Sequence, residues 1–364
     1  MKRLRLAVVG VGHLGKEHAR ILSNLPDVEL VGVVDRSATQ ANQIAQRCQT
    51  QAYADHRALL DKVDGAVIVV PTSHHHAVAC DFLDHGIPLL VEKPLASSLD
   101  EADDLLRRSR RQGTLLQVGH IERFNPAFVE LQRRPLRPKY ISCERLGGFT
   151  GRSTDVGVVL DLMIHDLDLV LTLVRSPVRS VEALGVAVLG GHEDVAQARV
   201  TFTCGCVAHL SASRVNPVPA RRMQVWGPEG NASIDFAARR LTLMQPAPHL
   251  RQGWLDSRRL DPATLSSLKA ELFGRHIQVH ELTLDGVDQL TCELEEFVHC
   301  IRDGARPRVD AEAGRDAIAL ASAVLDSLQQ HRWEGTEDGP VGPSQLPRPM
   351  GKLFATPDQQ EQAA

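Results

Sequence analysis

The chain has 364 residues, enough for about two domains of ~150 residues and a large buried core. Hydrophobic residues at 43% and charged residues at 24% exclude a disordered or fibrous chain. A formal charge of −4 argues against nucleic acid as the main partner, and no run approaches the ~18 to 20 apolar residues of a membrane-spanning helix. The opening MKRLRLAVVG has a short apolar run without a small-residue cleavage site, so it reads as a first strand rather than a signal peptide. Seven irregularly spaced cysteines fit a reduced compartment, and the expectation is a cytoplasmic protein with no membrane insertion.

From Leu4 to about Gly119, short apolar runs alternate with longer amphipathic ones, the pattern of βαβ units around a parallel sheet. Five strands are predicted, LRLAVV, VELVGVV, GAVIVV, PLLVE and TLLQVG, with helices near Leu14 to Ser23, Ala38 to Arg47, His75 to Asp84 and Leu99 to Arg111. They make a doubly wound α/β Rossmann domain over residues 1–120. Beyond it come a short helix from Asn125, an unusually apolar helix over about Val156 to Val174, and long β-rich runs. Residues 121–334 therefore read as an α+β domain with a mainly antiparallel open sheet and helices on one face. The stretch Gln245 to Gly286 has no clean period and stays unassigned, before two late helices around Cys292 to Asp303 and Glu312 to Gln330. Residues 335–364, rich in Pro, Gly and Gln, read as a flexible tail.

Gly10, Gly12 and Gly15 form GVGHLG between the first strand and a helix, so that amides around His13 and Leu14 can face a pyrophosphate. The second strand ends in Asp35, 20 residues beyond Gly15, where a carboxylate accepts hydrogen bonds from both adenosine ribose hydroxyls. Asp35 disfavours the extra phosphate of NADP, although Arg36 beside it could partly accommodate one; NAD is the expected cofactor.

Glu92, Lys93 and Pro94 follow the PLLVE strand at the sheet edge where open α/β folds place ligands. Alone, Lys93 reads more readily as a solvated strand-end lysine than as a functional group. Here the chain resembles the Gfo/Idh/MocA oxidoreductases, which carry such an EKP motif after the fifth strand. PTSHHHAVA, with Thr72, looks like that family's strand-four turn, and His75 stands 17 residues before Glu92 in the place of its usual histidine. The resemblance, covering nearly the whole chain to about Gln330, implies a catalytic Lys93, a cis Lys93–Pro94 bond, cofactor contacts from Thr72, His75, Glu92 and Lys93, and a homo-oligomer, dimer or tetramer, that covers the open sheet. Three consecutive histidines at a helix start cannot all face one ion, and no metal site is nominated.

In the apolar helix, Asp161, His165 and Asp168 recur at helical spacing and project from one face. An aspartate can hold the imidazole in one tautomer while the other nitrogen takes a proton from a substrate hydroxyl; a structural buried pair and a metal site are the other readings. The resemblance implies that Asp161 and His165 face the nicotinamide; because a histidine accepts a proton near the working pH without adjustment whereas a lysine needs a depressed pKa, His165 is expected as general base, Asp161 as its orienting partner and Lys93 as the donor that polarises the reacting oxygen. An exchange of the roles of His165 and Lys93 is the alternative. Asp166 and Asp168 stand behind them.

VGHIERFNPA places His120, Arg123 and Asn125 at the mouth of the cleft, with a surface charge and a helix N-cap as the plainer readings of the last two. Together with DVGVVLDLMIHDLDLVL, it is similar to the branch of the family containing UDP-N-acetylglucosamine 3-dehydrogenases. This branch implies a UDP-sugar substrate and a partner aminotransferase on an amino-sugar, lipid A type, route. Arg214, Arg221 and Arg222 around SRVNPVPARR are candidates for the diphosphate. The other readings are a dehydrogenase of a free sugar, inositol or other polyol, and a non-catalytic NAD-sensing regulator, against which Lys93, Asp161 and His165 together count.

Overall fold

The computed structural model describes residues 2–151, 156–189, 191–252, 257–286, 288–333 and 339, so the expected tail lies, apart from Gly339, outside the described residues. The first sheet is parallel, built from β1 (Leu4–Val9), β2 (Val28–Val34), β3 (Gln51–Tyr53), β4 (Gly65–Ile68), β5 (Leu89–Glu92) and β6 (Leu116–Gly119) in the order 3-2-1-4-5-6. It has six strands, not the predicted five. β3 is three residues long, too short to carry a pattern, and is held by pairing with the end of β2.

Helices α1 (Gly15–Asn24), α2 (Ala38–Cys48), α3 (His75–Asp84) and α4 (Leu99–Gln112) cross between these strands. β4, β5 and β6 are buried at every residue, as expected of parallel strands with helices on both faces. In α4, Ser98 caps the N-terminus, Ala102, Leu105 and Leu106 bury one stripe, and Gly113 closes the helix in the left-handed region.

The second sheet has eight strands, in the order 14-13-12-11-7-10-9-8. They are β7 (Tyr140–Leu146), β8 (Val178–Val186), β9 (Val195–Phe202), β10 (Val207–Ser213), β11 (Ala220–Gly227), β12 (Gly230–Asp235), β13 (Arg240–Pro246) and β14 (Ile277–Thr283). All pairs are antiparallel except β7 with β10. The unassigned stretch supplies the end of β13, α7 (Pro248–Gln252), α8 (Pro262–Glu271) and the edge strand β14, four of whose seven residues are exposed in succession. No alternation marks that strand because both its faces meet water.

Four further helices complete the chain: α5 (Pro126–Gln132), α6 (Ile164–Val174), α9 (Gln289–Asp303) and α10 (Ala311–Gln330). α10 packs on β8, α6 and α4, while Leu290, Leu294, Phe297 and Val298 of α9 join the core of the first domain beside β1 and β2. α9 and α10 thus return to the first domain, α10 contacting the helices and strands of both domains. No helix of the described residues is long and apolar enough to cross a membrane.

Candidate active site

β1 ends at Val9, and the chain turns through Gly10 at φ +89°, a conformation that favours glycine. A Cβ on Gly15 would overlap the Gly10 carbonyl oxygen, so glycine there lets α1 start directly under the turn. Gly12 has nothing within 4 Å of where a Cβ would sit, and His13 and Leu14 are exposed beside it. Unlike α2 and α4, α1 has no side-chain cap, which leaves its positive end for an anion. At the end of β2, the Asp35 carboxylate accepts from the Val11 N–H at 3.0 Å and the Ser37 N–H at 2.9 Å, fixing its orientation.

A cavity of about 510 Å³ joins Gly10, Gly12, Asp35, Arg36, Val70 and His74, and the half-buried Thr72 lies in the turn at its edge. The bare glycine, the uncapped helix and the oriented carboxylate fit a dinucleotide. Asp35→Ala is expected to weaken NAD far more than NADP in isothermal titration; equal losses would remove the ribose from this carboxylate.

The EKP turn is fixed from beneath. The Lys93–Pro94 bond is cis. Expected to touch cofactor, His75 is instead enclosed, with Nδ1 2.8 Å from the Pro94 carbonyl oxygen and Nε2 2.9 Å from that of Val70. Burial holds its pKa below the ordinary histidine value. Its work is to tie the strand-four turn to the EKP turn.

Glu92, also expected at the cofactor, is buried, pairs with His18 Nε2 at 2.9 Å and accepts from the Lys93 N–H at 3.1 Å. Sequence reading missed His18 because it lies 74 residues away on the buried face of α1. For Glu92 the cause is the strand itself: at the end of fully buried β5 its side chain points inward, and the next residue, Lys93, points the other way.

Lys93 Nζ donates to the Asp161 carbonyl oxygen at 2.7 Å and lies 3.3 Å from Asp161 Oδ1. Asp161 therefore meets Lys93, not His165 as expected. Residues Val159–Met163 form a π turn before α6, and this wider turn moves positions four apart off one another. The turn is anchored by Glu193, a further residue missed in the sequence, whose Oε1 accepts from the Val159 N–H at 3.1 Å.

The His165 ring is half-buried with Nδ1 enclosed and unpartnered, which leaves Nε2 as the nitrogen available to a substrate. It packs edge-on against His120, 6.5 Å between centroids, whose ring nitrogens also lack partners. Burial, then the Lys93 ammonium, hold His165 well below the ordinary histidine range; burial likewise lowers His120. Burial and the neighbouring cations thus favour the neutral ring.

Three expected substrate residues turn inward. Arg123 is buried in a two-pronged pair with Asp168, at 2.7 and 2.6 Å. Asn125 caps α5 and donates to the Phe236 carbonyl oxygen. Arg214 is buried against Asp194 at 2.6 Å and the Val156 carbonyl oxygen at 2.9 Å. Each had a carboxylate or a helix end to satisfy before any ligand. Asp166 pairs with Arg145 at 2.8 and 3.0 Å, and Arg145 also meets Glu122 at 2.9 Å. Arg222 approaches Asp235 at 3.9 Å.

Arg221 differs. It stands opposite Arg145 across β11 and β7, on the same sheet face as the buried Met223 and Val225, yet it is exposed, and among the described residues no carboxylate pairs with it. Its charge acts on His165 and Asp166. Lys93, held by Asp161, and Arg221 thus both act on His165, against which the buried His120 packs.

Residues 4–120 match the oxidoreductase family with an NAD-binding Rossmann fold, and residues 130–233 match the Gfo/Idh/MocA C-terminal domain. UDP-N-acetylglucosamine 3-dehydrogenase of Acidithiobacillus ferrooxidans is 35% identical over 330 residues, covering 90% of this chain and 98% of that one. A solved structure of the same enzyme superposes with a TM-score of 0.79 at 35% identity, over 90% of this chain and 98% of that one. The scyllo-inositol 2-dehydrogenase (NAD(+)) of Bacillus subtilis is 27% identical over 333 residues, 84% of this chain and 89% of that one. The chain belongs to the Gfo/Idh/MocA family of oxidoreductases, with NAD as the cofactor of its first domain.

Proposed function

We propose that the chain oxidises a sugar hydroxyl to a ketone, and that the substrate is the 3-hydroxyl of UDP-N-acetylglucosamine. The observation that carries this reading is that the Lys93 ammonium and the Arg221 guanidinium, which pairs with no carboxylate among the described residues, both act on the His165 imidazole, with Lys93 at the end of a strand of the dinucleotide-binding sheet. NAD supplies the hydride acceptor. Lys93, steadied by Asp161, donates a hydrogen bond to the reacting oxygen and stabilises the charge that develops on it. His165 takes the hydroxyl proton at Nε2, and His120 packs against its ring. Arg221 meets a phosphate of the diphosphate, in place of Arg214. The 3-keto product suits an aminotransferase, and the relative from Acidithiobacillus supports this choice of sugar. A second copy of the chain covering the open sheet belongs to the same reading, and light scattering at micromolar concentration tests it.

The test is turnover with UDP-N-acetylglucosamine against myo-inositol and glucose, with the 3-keto product identified by mass and NMR. Arg221→Ala is expected to raise KM for the UDP-sugar with little change in kcat. Turnover of the free polyols alone, indifferent to Arg221, would shift the assignment to an inositol or sugar dehydrogenase, the activity that names the Bacillus relative.

A further inference from the structure

On the outer side of the first domain, His76 and Cys80 sit four residues apart on α3 and face Asp104 of α4. His76 Nε2 is 2.9 Å from Asp104 Oδ2, Cys80 Sγ is 3.5 Å from His76 Nε2, and Cys80 Sγ is 3.8 Å from Asp104 Oδ2. One nitrogen, one sulfur and one oxygen converge on a single point. Ligands bound to zinc at ~2.0 to 2.3 Å and set at tetrahedral angles lie roughly 3.3 to 3.6 Å from one another, so these separations need only small adjustments. The neighbouring histidines take no part, since His75 faces the Pro94 and Val70 carbonyl oxygens and His74 is exposed.

We propose that His76, Cys80 and Asp104 form a site for one divalent transition-metal ion of the zinc class, with its fourth position open to solvent. The inference is independent of the reading of the active site. Imidazole and thiolate donors exclude calcium and magnesium and select zinc or cobalt. The fourth position follows from the partial exposure of His76 and Asp104.

The charges around the site fix how it behaves. Asp104 is held ionised, well below the usual carboxylate range, first by Arg108 and then by His76 and Arg107. Arg108 approaches along α4 itself, with Nε 2.8 Å from Asp104 Oδ2, and is shared with Asp84 at 2.6 Å, so its charge is partly spent. Burial pushes the Cys80 thiol up to about 11, so the metal-free thiol is protonated. Binding forms a metal–sulfur bond and releases that proton, while the imidazole binds as the neutral tautomer protonated on Nδ1. The bound ion ties α3 to α4, the helix pair beneath the strand-four and EKP turns.

The experiment titrates cobalt(II) into the full-length, chelator-treated chain under reducing, anaerobic conditions. The expected result is one equivalent at micromolar concentration, with a thiolate-to-cobalt charge-transfer band and tetrahedral ligand-field absorption, both abolished by added zinc. Cys80→Ser should remove the charge-transfer band, and His76→Gln should weaken binding about tenfold or more. Cys204→Ser, which alters an exposed thiol on a turn of the second domain, should change neither. Unchanged NAD binding verifies that each variant is folded. A band that survives Cys80→Ser, or no tetrahedral spectrum in the unaltered chain, would overturn the site.

Discussion

Lys93→Met should lower kcat by about 10²-fold or more with little effect on NAD affinity, because a positioned proton-handling group contributes ~10² to 10⁴. The ammonium is held by two contacts to Asp161, the carbonyl oxygen at 2.7 Å and Oδ1 at 3.3 Å, which tie it to the second domain. His165→Ala should cost about as much, again at least ~10² in kcat. The pH profile separates the two roles. A general base must be unprotonated, and burial with the Lys93 charge holds His165 well below its ordinary range. The acid limb of kcat should therefore fall below the ~6.5 of an unperturbed histidine, leaving the rate flat through neutrality. An acid limb well above that value, or near-normal kcat in His165→Ala with only KM raised, would reduce His165 to a binding residue and give the proton to Lys93.

Why the sequence located these groups but misjudged their partners follows from what local patterns carry. The parallel sheet was readable because its strands are near-continuous apolar runs, and GVGHLG with Asp35 was readable because turn, helix and acid lie within one βαβ unit. The partners of Arg123, Arg145 and Arg214 lie 45, 21 and 20 residues away, and only the packed fold brings them together. The π turn at Val159–Met163 was invisible for another reason. It widens the helix within an apolar stretch, where no polar stripe reports the change, and so transfers Asp161 from His165 to Lys93. Cys204 and Cys206 illustrate the same limit. Two apart, they would share a face in a strand, but Gly205 at φ +83° makes a turn that leaves Cys204 exposed and Cys206 buried.

The cluster behind the catalytic helix should dominate stability. Arg145 is 4% exposed and lies between the Asp166 carboxylate, at 2.8 and 3.0 Å, and Glu122, at 2.9 Å, with its guanidinium 5.7 Å from the centre of the Phe236 ring. Arg145→Met would leave two carboxylates buried together without a cation, and breaking such a pair costs about 3 to 5 kcal/mol. That is a large share of the ~5 to 15 kcal/mol that holds a typical domain folded, so the denaturant midpoint should drop sharply. The sign of the pH dependence is distinctive. Burial already pushes Asp166 up against the opposing pull of Arg145, and removing that cation raises it further. A carboxyl whose folded pKa lies above its unfolded value binds protons preferentially when folded, so stability falls as pH rises from the unfolded value near ~4 through the raised one. The deficit of Arg145→Met should therefore be smallest in mild acid and largest at neutral pH. Replacing Asp166 with Asn in the same variant should recover part of the loss and flatten the pH dependence, since it removes the uncompensated charge. A loss below about 1 kcal/mol at neutral pH, or a deficit that grows towards acid, would show that the cluster is hydrated and exerts no such control.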